Sequence, residues 1–292
     1  MQEQMSKFHI NQPIRTVDLE SLKIGGDKSF HFLSENDNKT KPVFALELNI
    51  FNIDETPKFI LMSDNPKEMI KQAQETGCDI LGLKINIGED KNNIPKAKEL
   101  LKSLLPIIKK PLMIRGVNNS DIDNALIPEL VSVLDREAIV AFAEEKTYKS
   151  IVPSVIKGNH ILVIRTPIDI NLAKEMNILT SDMGLSPDKI LIDTDMGGLG
   201  YGLEYGYSIM ERIKLAGFEG DKMLNMPLIA FVGEETFKTK ETKSNEFSKS
   251  WGDLTTRAIM FEITAASAIM AAGANVIVLN HPQSIKTMKG FL

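Results

Sequence analysis

A glycine-rich segment preceded by two aspartates is the strongest chemical signal in this sequence of 292 residues. The segment contains Asp193, Asp195, Gly197, Gly198, Gly200, Tyr201 and Gly202. Glycine lets a backbone approach a ligand closely, and the N-terminus of a following helix offers free N–H groups. The spacing is not that of a dinucleotide-binding loop, because Leu203 stands where another glycine is required. We therefore predict a loop that binds a phosphate or the amide-rich edge of a cofactor; a plain tight turn is the alternative.

Polar residues also stand at the end of each predicted strand, where a barrel places its functional groups. Lys84 could form a Schiff base if burial lowered its pKa, but an ion pair with a nearby strand-end acid, such as Glu47, is the expected arrangement. His281 could act as an acid or a base or bind a metal, although it also suits the start of a loop. The set is Glu47, Asn49, Lys84, Asn86, Arg115, Asn118, Glu144, Glu145, Arg165, Thr166, Asp193, Asp195, Glu234, Glu235, Asn280 and His281.

Metal and redox chemistry find little support in the residue types. Cys78 is the only cysteine, so the chain cannot form an internal disulfide, and an iron–sulfur cluster usually needs about four cysteines. The histidines are scattered without zinc-type spacing, and no Ser–His–Asp set can be assembled. We expect no metal site and no cluster on this chain, with Cys78 filling the core.

Short apolar runs alternate with longer helical patterns, which is typical of βα units around a parallel sheet. Strands are predicted at 43–48, 80–85, 112–115, 138–143, 160–165, 189–193, 227–232 and 276–279. Helices are predicted at 66–76, 95–108, 120–134, 148–156, 168–183, 205–218 and 253–272. Eight such units predict an α/β fold of the (β/α)8 TIM barrel type, although an open doubly wound sheet would show the same alternation.

Two segments fall outside this repeat. Residues 1–42 are predicted to form an N-terminal extension, followed by the barrel domain at 43–292. Residues 234–250 are rich in Lys, Glu, Thr and Ser, and they exceed the roughly 2 to 6 residues of a usual βα loop. This second segment is either functional or a solvated surface loop.

Charge and hydropathy narrow the classes of partner. The formal net charge is -5, with 34 basic and 39 acidic residues mixed along the chain, which argues against a nucleic-acid partner. No apolar run reaches the roughly 18 to 20 residues that span a bilayer, and the first residues do not resemble a signal peptide. We expect a cytoplasmic protein that does not bind a membrane.

Several motifs occur together, mainly in the second half of the chain. They are GGDK (25–28), PIDINLAK (167–174), TSDMGL (180–185), GLGYGLEY (198–205), SIMERI (208–213), GDKMLNMP (220–227), WGD (251–253), AAGA (271–274) and HP (281–282). In this order they resemble the small (delta) subunit of the corrinoid iron–sulfur protein of the acetyl-CoA synthase/CO dehydrogenase system, over most of the chain. The sequence departs from that family at Thr194, where proline is frequent, and at Phe231, where asparagine is frequent.

The resemblance implies a barrel without a catalytic residue, paired with a large (gamma) subunit that holds an iron–sulfur cluster and a cobalamin. The heterodimer would receive a methyl group from methyl-tetrahydrofolate, or a pterin analogue, through a methyltransferase. It would then pass the group to acetyl-CoA synthase, with the cofactor carrying out the chemistry. The residues implied to face the cobalamin at the subunit boundary are Asp193, Asp195, Gly197, Gly198, Gly200, Tyr201, Gly202, Asn280 and His281.

Two other functions suit the same barrel. A stand-alone methyltransferase would bind a folate or pterin through strand-end residues such as Asn86, Asn118 and Asp193. An aldolase would use Lys84 to form a Schiff base with a carbonyl substrate. A paralogue of the corrinoid-protein subunit that serves a different methyl donor or acceptor is a variant of the family interpretation above.

Overall fold

Eight short apolar runs form a closed parallel barrel in the computed structural model, which describes residues 11–30, 40–53, 56–60, 62–196 and 202–292. The strands of the described residues are β1 (Thr16–Leu19), β2 (Leu22–Gly25), β3 (Val43–Asn49), β4 (Ile80–Lys84), β5 (Leu112–Arg115), β6 (Ala138–Ala143), β7 (Ile161–Arg165), β8 (Ile190–Asp193), β9 (Leu228–Ala230) and β10 (Val276–Leu279). Around the barrel the order is β10-β3-β4-β5-β6-β7-β8-β9. Barrel strands are covered on both faces, which explains fully buried runs such as β6.

Helices cover the outside of the barrel. They are α1 (Pro66–Gln74), α2 (Ile94–Leu104), α3 (Ser120–Val131), α4 (Tyr148–Lys157), α5 (Ile170–Asp182), α6 (Leu203–Glu219), α7 (Val232–Thr236), α8 (Leu254–Ala271) and α9 (Pro282–Lys289). Side-chain caps begin several of them; Asp169 and Asp253, for example, accept backbone N–H groups of the first turn. These caps lie at the C-terminal end of the barrel and fix where each βα loop ends.

The antiparallel hairpin of β1 and β2 closes the N-terminal end of the barrel. Val17, Leu19 and Ile24 are fully buried and share one apolar cluster with inward side chains of the barrel strands. The segment predicted as an extension therefore contains a packed hairpin, whose strands of four residues are too short to show a clear period. The domain boundary between residues 42 and 43 stays a prediction.

A buried polar cluster ties the hairpin to the barrel. Lys214 Nζ on α6 donates to Asp27 Oδ2 at 2.5 Å, to the Gly273 carbonyl at 2.6 Å and to Asn275 Oδ1 at 3.1 Å. Lys214 and Asp27 are each no more than 1% exposed. Because the ammonium bonds to three acceptors, the charge can be buried, and the N-terminal end of the barrel is fixed to α6.

The predicted TIM barrel is confirmed, and the differences lie at element ends. The bounds of β5, β6 and β10 agree with the prediction at every residue. The strand predicted at 227–232 is shorter, because Val232 already begins α7. The segment 234–250 contains the end of α7 and short 3₁₀ turns at Lys240–Thr242 and Lys249–Trp251. Helix α9 was not predicted.

Among the described residues, α8 is long and apolar enough to cross a membrane by length and composition alone. In the structure this helix packs against α9 and β10 as part of the barrel's outer layer. Its buried side carries two ionisable residues, Arg257 and Glu262. Its apolar composition is that of a barrel helix, and it is weak support for a membrane span.

Candidate functional site

A buried ion-pair network fills the C-terminal end of the barrel, where barrel enzymes carry their active sites. Its first pair joins β3 and β5. Arg115 Nε donates to Glu47 Oε2 at 2.5 Å, and Arg115 Nη2 donates to Glu47 Oε1 at 2.8 Å. Both side chains are 1% exposed. The two parallel hydrogen bonds satisfy both carboxylate oxygens, so Glu47 is held in place by its partner.

Glu234, on α7, connects this pair to two other cations. Its Oε2 lies 3.0 Å from Arg115 Nη1 and 3.9 Å from Arg165 Nη2, and its Oε1 lies 3.3 Å from Lys84 Nζ. Burial acts to raise the pKa of Glu234, but Arg115, Lys84 and Arg165 outweigh burial and hold the pKa well below its ordinary value. Glu234 is therefore ionised at neutral pH.

The expected ion pair of Lys84 with a strand-end acid is present, but the acid is Glu234 and not the example Glu47. Glu47 is fully engaged by Arg115, and the Lys84 ammonium pairs with Glu234 instead. Burial lowers the pKa of Lys84, and Arg115 lowers it further, while Glu234 and Glu47 act in the opposite direction. A lowered pKa is what a Schiff-base lysine needs, but this ammonium is already occupied by an ion pair.

Two aromatic rings contact both guanidinium groups. Arg165 Nε donates to Asp193 Oδ2 at 2.7 Å, and the guanidinium carbon of Arg165 lies 3.4 Å from the ring centroid of Phe142. Phe142 meets Phe231 edge to face, with ring centroids 4.5 Å apart. Arg115 lies 5.5 Å and 5.4 Å from these two rings. Both arginines are thus stabilised by aromatic faces as well as by carboxylates.

We call this group the mouth cluster; it comprises Glu47, Arg115, Phe142, Arg165, Asp193, Phe231 and Glu234. Burial raises the pKa of Asp193 to about 6, although Arg165 opposes the change. Phe231 stands where the resemblance leads one to expect asparagine, and here its ring fills the barrel axis beside Phe142. The cluster therefore occupies the centre of the barrel mouth with the protein's own side chains.

A cavity of about 270 Å³ lies beside the mouth cluster. It is bounded by the end of β3 and the loop after it, the end of β4, and the segment from α7 onward. Its polar wall is formed by Asn49, Lys84, Asn86, Lys238, Lys243 and Asn280, in addition to the edge of the mouth cluster. The free space at this end of the barrel is thus off the axis.

The residues predicted to face a cofactor lie in different environments. Asp193 is buried in the mouth cluster, and the N–H of Asp195 donates to Asp193 Oδ1 at 3.0 Å. Asn280 lines the cavity. His281 caps α9 instead: its Nδ1 accepts the N–H of Gln283 at 3.0 Å. The imidazole Nε2 lies 3.1 Å from the Phe59 carbonyl, so both ring nitrogens of His281 have a structural partner.

The glycine-rich segment is only partly within the described residues. Gly202 precedes α6 with a φ of +131°, a conformation that favours glycine. Gly197, Gly198, Gly200 and Tyr201 lie outside the described residues, and their predicted role stays a prediction. The next aromatic residue along the chain, Tyr205, is 59% exposed in the first turn of α6. A large aromatic surface is therefore available at this rim.

The rim between β7 and β8 has a strained backbone. Ile168 has a φ of +46°, which is unusual for a β-branched residue, and its N–H donates to the Thr194 carbonyl at 2.9 Å. Thr166 and Thr194 are fully buried, and their hydroxyls have no hydrogen-bond partner among the described atoms. Such strain and unpaired polar groups are concentrated at binding sites more often than elsewhere.

Glu262 is a buried acid that the strand-end argument missed, because it lies on a helix. It is the only acidic residue of α8, and its Oε1 accepts the N–H of Asn280 at 2.6 Å. A Cβ added at Gly233 would lie 2.6 Å from the same Oε1. Burial raises the pKa of Glu262 to about 7, against the hydrogen bond from Asn280. A single acid within an apolar helix is the sequence signal that could have identified it.

The fold and this site define a TIM-barrel protein whose mouth is filled by paired charges, with polar surface and a cavity around them. The chain belongs to the CO dehydrogenase/acetyl-CoA synthase delta subunit family, whose family model matches residues 18–283. The family predicted from the motifs is thus confirmed.

Curated relatives carry the same subunit name. The acetyl-CoA decarbonylase/synthase complex subunit delta of Methanocaldococcus jannaschii is 28% identical over 280 residues, which cover 92% of this chain and 68% of that protein. The subunit delta of Archaeoglobus fulgidus is 25% identical over 289 residues, which cover 92% of this chain and 63% of that protein. The chain therefore spans about two thirds of the length of these relatives.

Solved structures resemble this chain in fold. Dihydropteroate synthase from Thermus thermophilus, solved in complex with 6HMPPP, has a TM-score of 0.60 and 11% sequence identity. The match covers 95% of this chain and all of that one. At this identity the likeness concerns the barrel fold alone.

Proposed function

We propose that this chain is the non-catalytic barrel subunit of a heterodimeric corrinoid iron–sulfur protein. In this role it covers the cobalamin held by a large (gamma) subunit. The heterodimer carries a methyl group from methyl-tetrahydrofolate, or a pterin analogue, to acetyl-CoA synthase. Membership of the delta subunit family supports this proposal, as do the names of the relatives.

The mouth cluster is the observation that carries the proposal. A general acid or base must be free to reach the substrate. In this barrel Glu47, Asp193 and Glu234 are each engaged by a guanidinium group, and all are buried. A subunit whose task is to present a shaped surface needs no free group at this position, so the self-paired mouth suits a scaffold better than an enzyme.

The rim fits the edge of a corrinoid in its chemistry. Corrinoid rings carry amide substituents, which hydrogen-bond to hydroxyls and to backbone groups. Tyr205 offers an exposed aromatic face here, while the unpaired hydroxyls of Thr166 and Thr194 are buried beneath the rim and do not reach its surface. When bound, the corrinoid would supply the cobalt that carries the methyl group. This chain would position the ring and exclude water from it.

The residues that would hold the ring are those at the C-terminal end of β8 and β10. We assign this role to Asp195 and Gly202 with the glycine-rich segment Gly197, Gly198, Gly200 and Tyr201, and to Asn280. Asp193 would act through Arg165, which it anchors. His281 would act by ordering the start of α9.

The remaining partners follow from the residue content. The only cysteine, Cys78, is buried, so the iron–sulfur cluster is assigned to the large subunit. The methyltransferase that delivers the methyl group and CO dehydrogenase/acetyl-CoA synthase are proposed as further partners. A cytoplasmic location is part of the same proposal.

Co-purification tests the proposal. The chain is expressed with its candidate large subunit, and the stoichiometry and corrinoid absorbance of the complex are recorded. Tyr205→Ala removes an exposed ring from the C-terminal end of the barrel, and Phe291→Ala, at 60% exposure, removes a matched ring near the opposite end. We expect a one-to-one corrinoid complex that Tyr205→Ala weakens and Phe291→Ala leaves unchanged.

Two results would overturn the proposal. The first is a chain that forms no complex with the large subunit. The second is tight binding of methyl-tetrahydrofolate by the isolated chain, lost in Asn86→Ala or Asn118→Ala, which would establish the stand-alone methyltransferase instead. Co-purification reports the first outcome. Isothermal titration calorimetry of the isolated chain with methyl-tetrahydrofolate reports the second.

A further inference from the structure

The off-axis cavity has the composition of a small-molecule site. Its volume of about 270 Å³ is close to the lower end of the range found for ligand pockets, about 300 to 1,000 Å³. One wall is apolar and includes Leu48, Ile60, Met69 and Phe237. The rest of the lining is largely polar and contains lysine ammonium groups and side-chain amides. A lining that combines apolar side chains with a few polar groups is usual in such sites.

The charge of the lining is positive once internal pairs are considered. The carboxylates of the lining, Glu47 and Glu234, are both engaged by Arg115, and Glu234 also by Lys84. Lys238 Nζ lies 2.6 Å from Glu235 Oε1. Lys243 is exposed at the cavity, and no carboxylate of the described residues lies within 4.0 Å of its ammonium. The cavity thus has a cation in surplus.

We propose that this cavity binds a small organic carboxylate with a short apolar body. The carboxylate contacts the ammonium of Lys243, with Lys238 and Lys84 adding to the positive potential. The apolar body lies against Ile60 and Phe237. The volume of about 270 Å³ equals that of about nine water molecules at about 30 Å³ each, which is room enough for a small organic acid. Because Glu234 is already paired with cations, it offers no free negative charge to a cationic ligand. This inference concerns the chain by itself and does not depend on the proposed role with a large subunit.

Titration by nuclear magnetic resonance tests the proposal on the full chain labelled with ¹⁵N. The probes are butyrate, n-butylammonium as a cation of similar shape, and inorganic phosphate as an anion without an apolar body. We expect butyrate to shift amide signals of residues 49–53 and 233–243, while n-butylammonium and phosphate bind at least about fivefold more weakly, a difference of about 1 kcal/mol.

Variants on the surface give a matched comparison. Lys243→Ala is expected to weaken butyrate binding about fivefold, and Lys243→Arg to retain it, because an exposed charge pair is worth up to about 1 kcal/mol. Lys240→Ala removes an equally exposed lysine that does not line the cavity, and we expect no change. Butyrate binding that is insensitive to Lys243→Ala, or n-butylammonium binding as tight as butyrate, would overturn the proposal. So would the absence of any butyrate-induced shift.

Discussion

Replacing Glu262 by glutamine isolates the effect of one buried carboxyl on stability. Burial raises the pKa of Glu262 to about 7 from an ordinary value of 4.5. An acid with a raised folded-state pKa stabilises the fold in its protonated form. That contribution is complete below the unfolded-state pKa and is lost as the pH rises through the folded-state pKa. Glutamine keeps the shape and an acceptor for the Asn280 N–H but cannot ionise.

The magnitude follows from the two pKa values. A tenfold change in proton affinity is worth about 1.4 kcal/mol, so the native chain should lose about 3 kcal/mol between about pH 4.5 and pH 8 through this group. Asp193, Asp123 and Glu144 also have raised pKa values and contribute to the same trend. These three groups are present in both chains, so their contribution cancels when the unfolding free energy of the native chain is subtracted from that of Glu262→Gln. We expect this difference to move by about 3 kcal/mol in favour of the variant as the pH rises.

Urea unfolding at pH 5, 6, 7 and 8 measures the difference. Any effect of the new amide that does not depend on pH shifts the four free-energy differences equally. It therefore leaves their change with pH unaltered. Glu175→Gln is the matched control, because it makes the same substitution at an exposed position on α5. If the Glu262→Gln difference is the same at pH 5 and pH 8, the assignment of a raised pKa to this carboxyl is refuted.

Three further substitutions test the packing around the site and at the opposite end of the barrel. Arg115→Met leaves the buried Glu47 carboxylate unpaired and should destabilise the chain by about 3 to 5 kcal/mol in urea unfolding; a loss below about 1 kcal/mol would contradict this. Gly233→Ala places a Cβ 2.0 Å from Asn280 Oδ1 and should lower the melting temperature. Gly206→Ala is its control, because the new Cβ meets nothing closer than 3.7 Å and the change should be neutral or raise the melting temperature. Lys214→Met removes the ammonium that contacts buried Asp27 and should destabilise by about 3 kcal/mol or more.

The barrel could be predicted because its signals are local. A strand covered on both faces reads as a continuous apolar run, so β5, β6 and β10 were placed to the residue. Glycines predicted to end helices have left-handed φ values at Gly77, Gly184 and Gly273, of +87°, +99° and +106°. Gly158 also ends its helix, but with a φ of -91°, and the left-handed position is taken by the next residue, Asn159, with a φ of +53°.

Most members of the candidate site were present in the strand-end set, but their partners were not predictable. Lys84 and Glu234 are separated by 150 positions, and their ion pair depends on where α7 lies over the barrel mouth. Phe142 and Phe231 lie in predicted strands, and an aromatic residue in a strand gives no sign that its ring contacts two arginines. Their role depends on which face of each strand points inward at the end of the barrel.

The sequence by itself determined the order of the βα units, the family, and the polar residues that reach the C-terminal end of the barrel. These depend on period, on apolar runs and on motifs, which are properties of neighbouring residues. Only the tertiary structure decided that Arg115 holds Glu47, that Lys84 holds Glu234 and that His281 caps a helix. The energy of an ion pair depends on separation and burial, and both are fixed only when distant strands close into a barrel.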